Sequence, residues 1–506
     1  MPLSPKEHFQ KTSELAKSLS KSDIYEWLVT KGYFPESYVL PPCFTVTKYP
    51  AFGTVYFTHK KTKFQPEISE FQQVHFPKTE LTDRTFGIID PKIHSDIAFT
   101  ISDNWSEVTD CLFHKDNQVC SYSFPIPLNH KTVGEIGELR SGRMIYEFIE
   151  MAENDVAAIA FRYKYLIKTD IKNFYPSIYT HSIPWALHEK SIIRQAKNRN
   201  DYNFIGNRLD KLFQSANDGC TNGIPIGPVV SDIISEIVLS GVDRELSKSI
   251  NQDVLVVRFK DDYRILAKSE SSGRSVIKAL QAALKSYRLE LNDGKTTIYR
   301  LPSGLFRNWV SEYHSANPQP KAFYDFKRFK EVYLSVIEID KNNSGCGVID
   351  RFLADIVTKN YKIRLKKLDN RSLVKTISLL LMLAELRTKS FPKILAIIES
   401  IIKSPFGLKH IDLIVDHLEE FLVTLKSEEM NNRYLITWII YFIRANDLES
   451  KLKDCSCQFT DPIVYATYND KFSAFGEHKD FNIFSNVKTT AKGITLLEHL
   501  DVFKPQ

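Results

Sequence analysis

Between residues 254 and 267 the chain alternates from apolar to acidic and back. Val254-Leu255-Val256-Val257 leads into Phe259-Lys260-Asp261-Asp262, and Tyr263-Arg264-Ile265-Leu266-Ala267 leads out. Short apolar runs, β-branched on the way in and bounded by charged residues, predict two buried strands joined by a tight acidic turn. A second run, Tyr165-Leu166-Ile167-Lys168-Thr169, predicts a strand that delivers Asp170 at its end. Elsewhere the spacing of apolar residues is helical. Such stretches lie within residues 8–30, with Ser22-Asp23 as the expected cap and an end at Gly32, then from Met144 to about Ala160. Further ones start at Ser182 with Pro184 near the first turn, after Pro228 through Val242, and over about Ser272 to Tyr287. Residues 45–130 read as short strands and loops. Between the helices at 8–30 and this region, Gly32-Tyr33-Phe34-Pro35-Glu36 and Leu40-Pro41-Pro42-Cys43-Phe44 predict an extended aromatic-proline arm, packed by default on its own core. From about residue 345 sheet signals stop, and amphipathic helices follow one another around Leu373, Ile394 and Ile414. Tyr434 to Ile443 is apolar nearly all round, which predicts a buried helix. The last fifty residues read as an irregular extension, one available to a neighbouring subunit.

Composition adds little constraint. The 506 residues are 43% hydrophobic and 25% charged, enough for two or three cores, and the net charge of +6 is compatible with a nucleic-acid partner without demanding one. The seven cysteines form no Cys-x-x-Cys pair, so reduced thiols are expected rather than a zinc site. The start, Met1-Pro2-Leu3-Ser4-Pro5, lacks a signal-peptide pattern, and the apolar stretch at Tyr434–Ile443 is too short to span a bilayer; a cytoplasmic protein with no membrane partner is expected.

The acidic elements carry the candidate chemistry. Two adjacent carboxylates at a hairpin tip repel unless they are solvated or share a cation, and oxygen ligands of this kind suit Mg²⁺. Asp170, at the end of a buried strand, needs a partner or a metal for the same reason. If a fold brings Asp170, Asp261 and Asp262 together, three carboxylates can hold two Mg²⁺ ions, one activating a hydroxyl and the other stabilising a leaving oxygen. Gly223-Ile224-Pro225-Ile226-Gly227-Pro228 predicts a stiff loop with close backbone access at Gly227, opening a helix whose free N–H groups face a nucleotide or a template base. The basic segment 131–143 offers Lys131, Arg140 and Arg143 to phosphates, or is a solvated loop. Leu289 to Thr296 predicts a turn presenting Lys295.

In order, the Asp170 segment, Gly223 to Gly227, Phe259-Lys260-Asp261-Asp262 and Leu291-Asn292-Asp293-Gly294-Lys295-Thr296 resemble motifs A, B, C and D of reverse transcriptases, over roughly residues 120–305. Phe259 stands where Tyr is usual, and Ser231-Asp232 where many relatives have Ser-Pro. The arm, the Gly-Pro loop and the long helical tail are similar to those of bacterial abortive-infection and defence-associated reverse transcriptases, of the AbiK or P2-prophage type. The resemblance implies an α+β fold: right-hand fingers and palm, an antiparallel sheet with helices, over residues 1–320, then an all-α HEAT-like domain over 321–506. It implies Asp170, Asp261 and Asp262 as metal-binding and catalytic carboxylates, with Ile171 beside them at the metal and nucleotide, and two Mg²⁺ ions or Mn²⁺ in their place. It also implies backbone near Asn173 and Phe174 on the triphosphate, Tyr175 as a steric gate favouring dNTPs, and Lys295 as general acid at the leaving pyrophosphate. Without the resemblance Tyr175 reads as a core aromatic.

The implied activity is DNA polymerisation in bacterial anti-phage defence. Priming would be by a tyrosine of the protein, leaving the DNA product covalently attached; synthesis would be untemplated or would copy a non-coding RNA. A homo-oligomer is expected. A retron- or intron-type reverse transcriptase and a non-catalytic RNA-binding scaffold are the alternatives. The basic stretch Lys359, Lys362, Arg364, Lys366 and Lys367 reads as a nucleic-acid contact or a solvated face.

Overall fold

The computed structural model describes residues 4–78, 82–124, 145–405, 407–453, 459–476 and 478–500. By packing, the chain divides into two units: residues 1–35, 49–72 and 87–306, and residues 36–48, 73–86 and 307–506. The sequence suggests a single cut near residue 320; the division instead falls at 306–307, and two N-terminal pieces belong with the second unit. The second of these pieces holds most of β1 (Gln72–Pro77) and β2 (Asp83–Ile88), which form a two-stranded sheet.

The first unit is built on a five-stranded sheet. Its strands are β3 (Cys120–Ser121), β4 (Tyr165–Asp170), β5 (Val254–Phe259), β6 (Asp262–Ala267) and β7 (Thr297–Arg300), in the order β3-β5-β6-β4-β7. The expected antiparallel sheet is mixed, because the short β3 runs parallel to β5. The helices Val229–Ser247 and Glu270–Ser286 pack on each other, and the second of them packs on β4 and β6. Gly273 lets that helix approach closely: a Cβ there would lie 2.3 Å from Ile167 Cδ1 on β4.

Several local expectations change. The N-terminal helical stretch is two helices, Pro5–Ser18 and Lys21–Val29, capped by Ser4 and Ser20 rather than by Ser22. Ser20 Oγ accepts the Asp23 N–H at 3.2 Å, which leaves Ser22 inside the first turn. The region expected as strands and loops holds the helices Pro91–Asp103 and Trp105–Leu112. The first begins on the cap pair Asp90-Pro91, with Asp90 accepting two backbone N–H groups.

A buried ion cluster ties the sheet to its helical cover. Arg258, on β5, is 2% exposed. Its guanidinium bonds Glu236 at 2.9 and 3.0 Å and Asp243 at 2.9 Å, both carboxylates lying on the helix Val229–Ser247. Tyr263 Oη donates to Asp243 at 2.8 Å, and Ser121 and Ser123 donate to Glu236 at 3.0 and 2.7 Å. Burial opposes ionisation of Glu236, but Arg258 and the serine hydroxyls overcome it and hold its carboxyl below the ordinary range.

The second unit is helical. Phe326–Asn342 packs on Val348–Ile356, Asn370–Leu386 on Phe391–Ile402, and Ile411–Lys426 on Glu429–Ala445. The last of these is the predicted all-round apolar helix. The arm buries it: Trp438 Nε1 donates to Val39 O at 3.3 Å, Tyr434 Oη to Tyr38 O at 3.3 Å, and Tyr434 packs on Phe76 with ring centroids 5.2 Å apart. Arg364 is buried and donates to Asp355 O at 2.7 Å, so it drops out of the expected basic surface, whereas Lys359, Lys362, Lys366 and Lys367 are exposed. Among the described residues no helix is long and apolar enough to cross a membrane.

Replacing Arg258 by Met should cost about 3–5 kcal/mol, because it strands two buried carboxylates. Urea unfolding followed by tryptophan fluorescence reads this as an early transition. Adding Glu236→Gln and Asp243→Asn should restore most of the loss. Lys248→Ala, which removes an exposed pair with Glu245, should stay within about 0.5 kcal/mol.

Candidate active site

The hairpin of β5 and β6 turns through Lys260 and Asp261, with Phe259 paired to Asp262. Lys260 takes φ 48, the left-handed backbone such a turn demands. β4 lies antiparallel to β6 in a register that sets Asp170 directly opposite Asp262. Residues opposed in this way project from the same face with Cβ atoms about 5 Å apart. The Ile171 N–H donates to Asp261 O at 3.2 Å, stitching the third acidic residue to the end of β4. Pairing of strands distant in sequence thus brings the three acids to one edge of the sheet.

Lys295 completes the group. Thr169 and Thr296 share a hydroxyl hydrogen bond of 2.7 Å, and the Asn292 N–H donates to Asp170 O at 2.8 Å, so the turn Asp293–Lys295 is pinned beside β4. Lys295 Nζ reaches Asp170 Oδ2 at 2.5 Å. That hydrogen bond, followed by the charges of Asp170, Asp262 and Asp261, raises the lysine above its ordinary value despite partial burial. Asp262 behaves oppositely to an isolated surface carboxyl: desolvation beside the hairpin, then Asp261 and Asp170, push it up to about 6.

These acids fit a divalent cation on two observations. Asp170 Oδ1 is buried and has no hydrogen-bond partner among the described residues, and Asp262 is crowded by like charge. Hard carboxylate oxygens are the donor set Mg²⁺ and Mn²⁺ prefer. Among the described residues no three ligating side chains are already drawn together tightly enough to hold an ion. Lys295 is the counter-charge on Asp170 in this arrangement. Asp170, Asp261 and Asp262 are the residues that could hold metal, with Ile171 as a backbone neighbour.

Tyr175 sits on the short helix Phe174–Ser177, which starts after Asn173 at φ 47. Its ring is 9% exposed and meets Phe174 edge-on, centroids 5.2 Å apart. Its hydroxyl donates to Asp232 and accepts from Ser235 Oγ at 3.4 Å. Burial, then Asp232, raises the phenol well above its ordinary value. The Gly-Pro loop lies against this segment: Ile224 N–H donates to Tyr175 O at 3.2 Å, and Gly223, at φ 86, passes where a Cβ would meet Pro176 O at 3.2 Å. Gly227 takes φ 119 just before the helix Val229–Ser247. At that helix start, expected to present free N–H groups, two are already taken. Val229 N–H donates to Gly32 O at 2.8 Å and Ser231 N–H to Pro228 O at 2.9 Å. Lys131, Arg140 and Arg143 lie outside the described residues.

Residues 128–324 match the family model described as reverse transcriptase (RNA-dependent DNA polymerase). The chain carries a reverse-transcriptase domain. The acids, Lys295, Tyr175 and the Gly-Pro loop all fall within that domain. No curated protein matches the sequence. Among solved structures, an apo telomerase from Candida tropicalis is similar at 12% identity over 78% of this chain and 71% of that one, with a TM-score of 0.33. A Candida tropicalis telomerase in complex with a TWJ fragment of telomeric RNA is similar at 15% identity over 79% and 64%, with a TM-score of 0.31. A Candida albicans telomerase with the same kind of RNA fragment is similar at 13% identity over 69% and 63%, with a TM-score of 0.28. In these comparisons the chain spans from about half to 71% of the telomerase chains. Likenesses this distant carry no weight for substrate or partner.

Sequence reasoning meets Asp232 only as a departure from the motif and passes over Glu236 and Asp243. The signal is present: Asp232, Glu236 and Asp243 stand among the apolar residues of the helix and need cationic or hydroxyl partners. The reverse-transcriptase domain supplies Lys260 for the first, at 3.2 Å, and Arg258 for the other two.

The raised Asp262 carboxyl gives a pH signature without metal. A folded-state value near 6, above the ordinary value of about 4, means the protonated form is favoured by folding. Its stabilising contribution is full below about pH 4 and is lost as pH rises through about 6. In chelator, the wild-type Tm should therefore fall over that window relative to Asp262→Asn. Saturating Mn²⁺ should close the gap at pH 7, because the cation favours the ionised acid. Scanning fluorimetry across pH checks both.

Proposed function

We propose that the chain is a DNA polymerase of the reverse-transcriptase type that joins dNTPs by two-metal nucleotidyl transfer. The observation that carries the reading is the register of Asp170 against Asp262, with Asp261 in the adjoining turn and Lys295 on Asp170. Divalent ions, when bound to these acids, supply activation of the attacking hydroxyl and stabilisation of the leaving oxygen. The remaining work belongs to the chain. Asp170 and Asp262 hold their oxygens at fixed positions on paired strands. Lys295 keeps its proton at Nζ at neutral pH, since its acidic neighbours raise it, and can give that proton to the pyrophosphate. Asn173, Phe174 and Gly227 offer backbone to the triphosphate, and the Tyr175 ring fills the space a ribose 2′-hydroxyl would need.

At the finer level we assign the chain to the abortive-infection class of bacterial defence polymerases, acting in the cytoplasm, as a homo-oligomer, with a HEAT-like helical second unit. The motif resemblance and the succession of packed helices after residue 307 support this. Protein priming, with synthesis either untemplated or copied from a non-coding RNA, follows from the same class. A priming tyrosine must present its hydroxyl to solvent, which removes buried candidates such as Tyr25, Tyr33, Tyr122, Tyr263 and Tyr441.

The test incubates the purified full chain with labelled dNTPs and Mg²⁺, adding neither primer nor template, and runs the products before and after protease. Labelled DNA that enters the gel only after proteolysis is the expected result, and nuclease pretreatment then reports whether a copurified RNA is copied. Asp261→Ala should lower incorporation by about a thousandfold or more, since it removes charge stabilisation at the reacting centre. Lys295→Ala should lower it by about a hundredfold, the scale of a lost general acid. Incorporation that survives Asp261→Ala would remove the assignment.

A further inference from the structure

The departure at Ser231-Asp232 has a structural consequence. Asp232 lies in the first turn of the helix Val229–Ser247, with a side chain 14% exposed. Its Oδ1 accepts the Tyr175 hydroxyl and also Lys260 Nζ at 3.2 Å. Ser235 donates to the same Tyr175 oxygen, and Lys260 Nζ stands 6.0 Å from the tyrosine ring centroid. Lys260 is itself fixed in the hairpin turn. Its N–H donates to Ser123 Oγ at 2.8 Å, and its carbonyl accepts from Arg258 at 3.2 Å. A continuous chain of bonds therefore runs from the Lys260-Asp261 turn through Asp232 to Tyr175.

Resting on the polymerase reading above, we propose that Asp232 is a positioning residue for sugar selection, holding the Tyr175 ring so that it cannot yield to a ribose 2′-hydroxyl. A steric filter discriminates only as far as its wall resists. A tyrosine ring turns about two side-chain torsions, and packing on Phe174 restrains one face of it. The far end is restrained by the bond to a carboxylate shielded from water, where such a bond is stronger than at the surface. Turning the ring aside would break that bond and leave Asp232 with Lys260 alone. A proline in this position, as in many relatives of the motif, would provide no acceptor. The same carboxylate touches the hairpin lysine, so the gate is held in register with the acids it serves.

The test measures kcat/KM for a dNTP and its matching rNTP with the full chain in Mg²⁺. The variants are Asp232→Ala, Asp232→Asn, Tyr175→Phe, the double variant Tyr175→Phe/Asp232→Ala, and Tyr175→Ala. Asp232→Ala and Tyr175→Phe remove the bond from opposite ends. Each should lower dNTP-over-rNTP preference by about tenfold, the scale of one charge-assisted hydrogen bond, mostly by improving rNTP use. The double variant should go no lower than either single one. Asp232→Asn, which keeps an acceptor, should stay within about threefold of wild type, and Tyr175→Ala should erase the preference. If Asp232→Ala fails to fold in a thermal melt, Tyr175→Phe and Asp232→Asn carry the comparison. Wild-type preference in both Asp232→Ala and Tyr175→Phe, with loss in Tyr175→Ala, would overturn the positioning role while leaving the gate. Undiminished preference in Tyr175→Ala would overturn the gate and this proposal together. Absence of any dNTP incorporation by the wild type would instead remove the polymerase reading on which both rest.

Discussion

A single buried guanidinium organises the acidic edge of the sheet. Arg258 is sealed from water between Glu236 and Asp243, and each of the three charges is tolerable only because the others are present. Arg258 also donates to Lys260 O, so the group that clamps β5 to its helix fixes the turn that carries Asp261. Strand register is the quantity at stake. Side chains alternate faces with a period of two, and a slip of one residue in β6 would carry Asp262 to the far side from Asp170. β4 is held on its other side by β7, pairing Tyr165 with Arg300 through Lys168 with Thr297. The acids meet because both strands that carry them are locked from outside the site.

What is locked is electrostatically unfavourable by itself. Desolvation, then the charges of Asp261 and Asp170, push Asp262 upward, and Asp170 carries a buried oxygen without a partner among the described residues. Lys295 offsets part of this by reaching Asp170 from the turn pinned through Thr169 and Thr296. Lysine suits this position. A flexible stem with a compact charge can leave without rebuilding the backbone, where a bidentate arginine would be harder to displace. The ammonium-bearing side chain is 64% exposed, so its partner can be exchanged without opening the core.

Much of this is legible in the chain. The β-branched approach to Phe259, the strand ending at Asp170, and the helices over Val229–Ser247 and Glu270–Ser286 follow from periodicity and local caps. The meeting of Asp170 with Asp262 is legible only as a condition on the fold, because register is a non-local choice. Arg258 misleads: a charge after four apolar residues looks like a strand boundary. It lies within β5 because its partners sit on a helix that apolar spacing alone does not reveal as acidic on one face. The arm around Val39 is legible as helix-free, but it runs as successive turns rather than extended, with Val39 N–H donating to Glu36 O at 2.8 Å and Phe44 N–H to Pro41 O at 3.1 Å, and its burial against Tyr434 and Trp438 depends on a helix nearly four hundred residues later. β7 hides behind the turn that presents Lys295, since four half-exposed residues give little periodic signal.

Asp232 shows how a break in a local pattern can be informative. An acid at the start of an apolar helix is commonplace, since it opposes the positive end of the helix dipole. That account does not explain why it binds a buried phenol and the hairpin lysine at once. Helix starts are usually satisfied locally, and here Gly32 already takes the Val229 N–H. The carboxylate instead joins a side-chain network with Tyr175 and Lys260 that spans three segments distant in sequence. Consistency between local preference and global fold is the ordinary condition of a stable chain, and functional sites are where it is relaxed. At Asp232 it is relaxed where the hairpin turn that carries Asp261 is linked to the buried phenol of Tyr175.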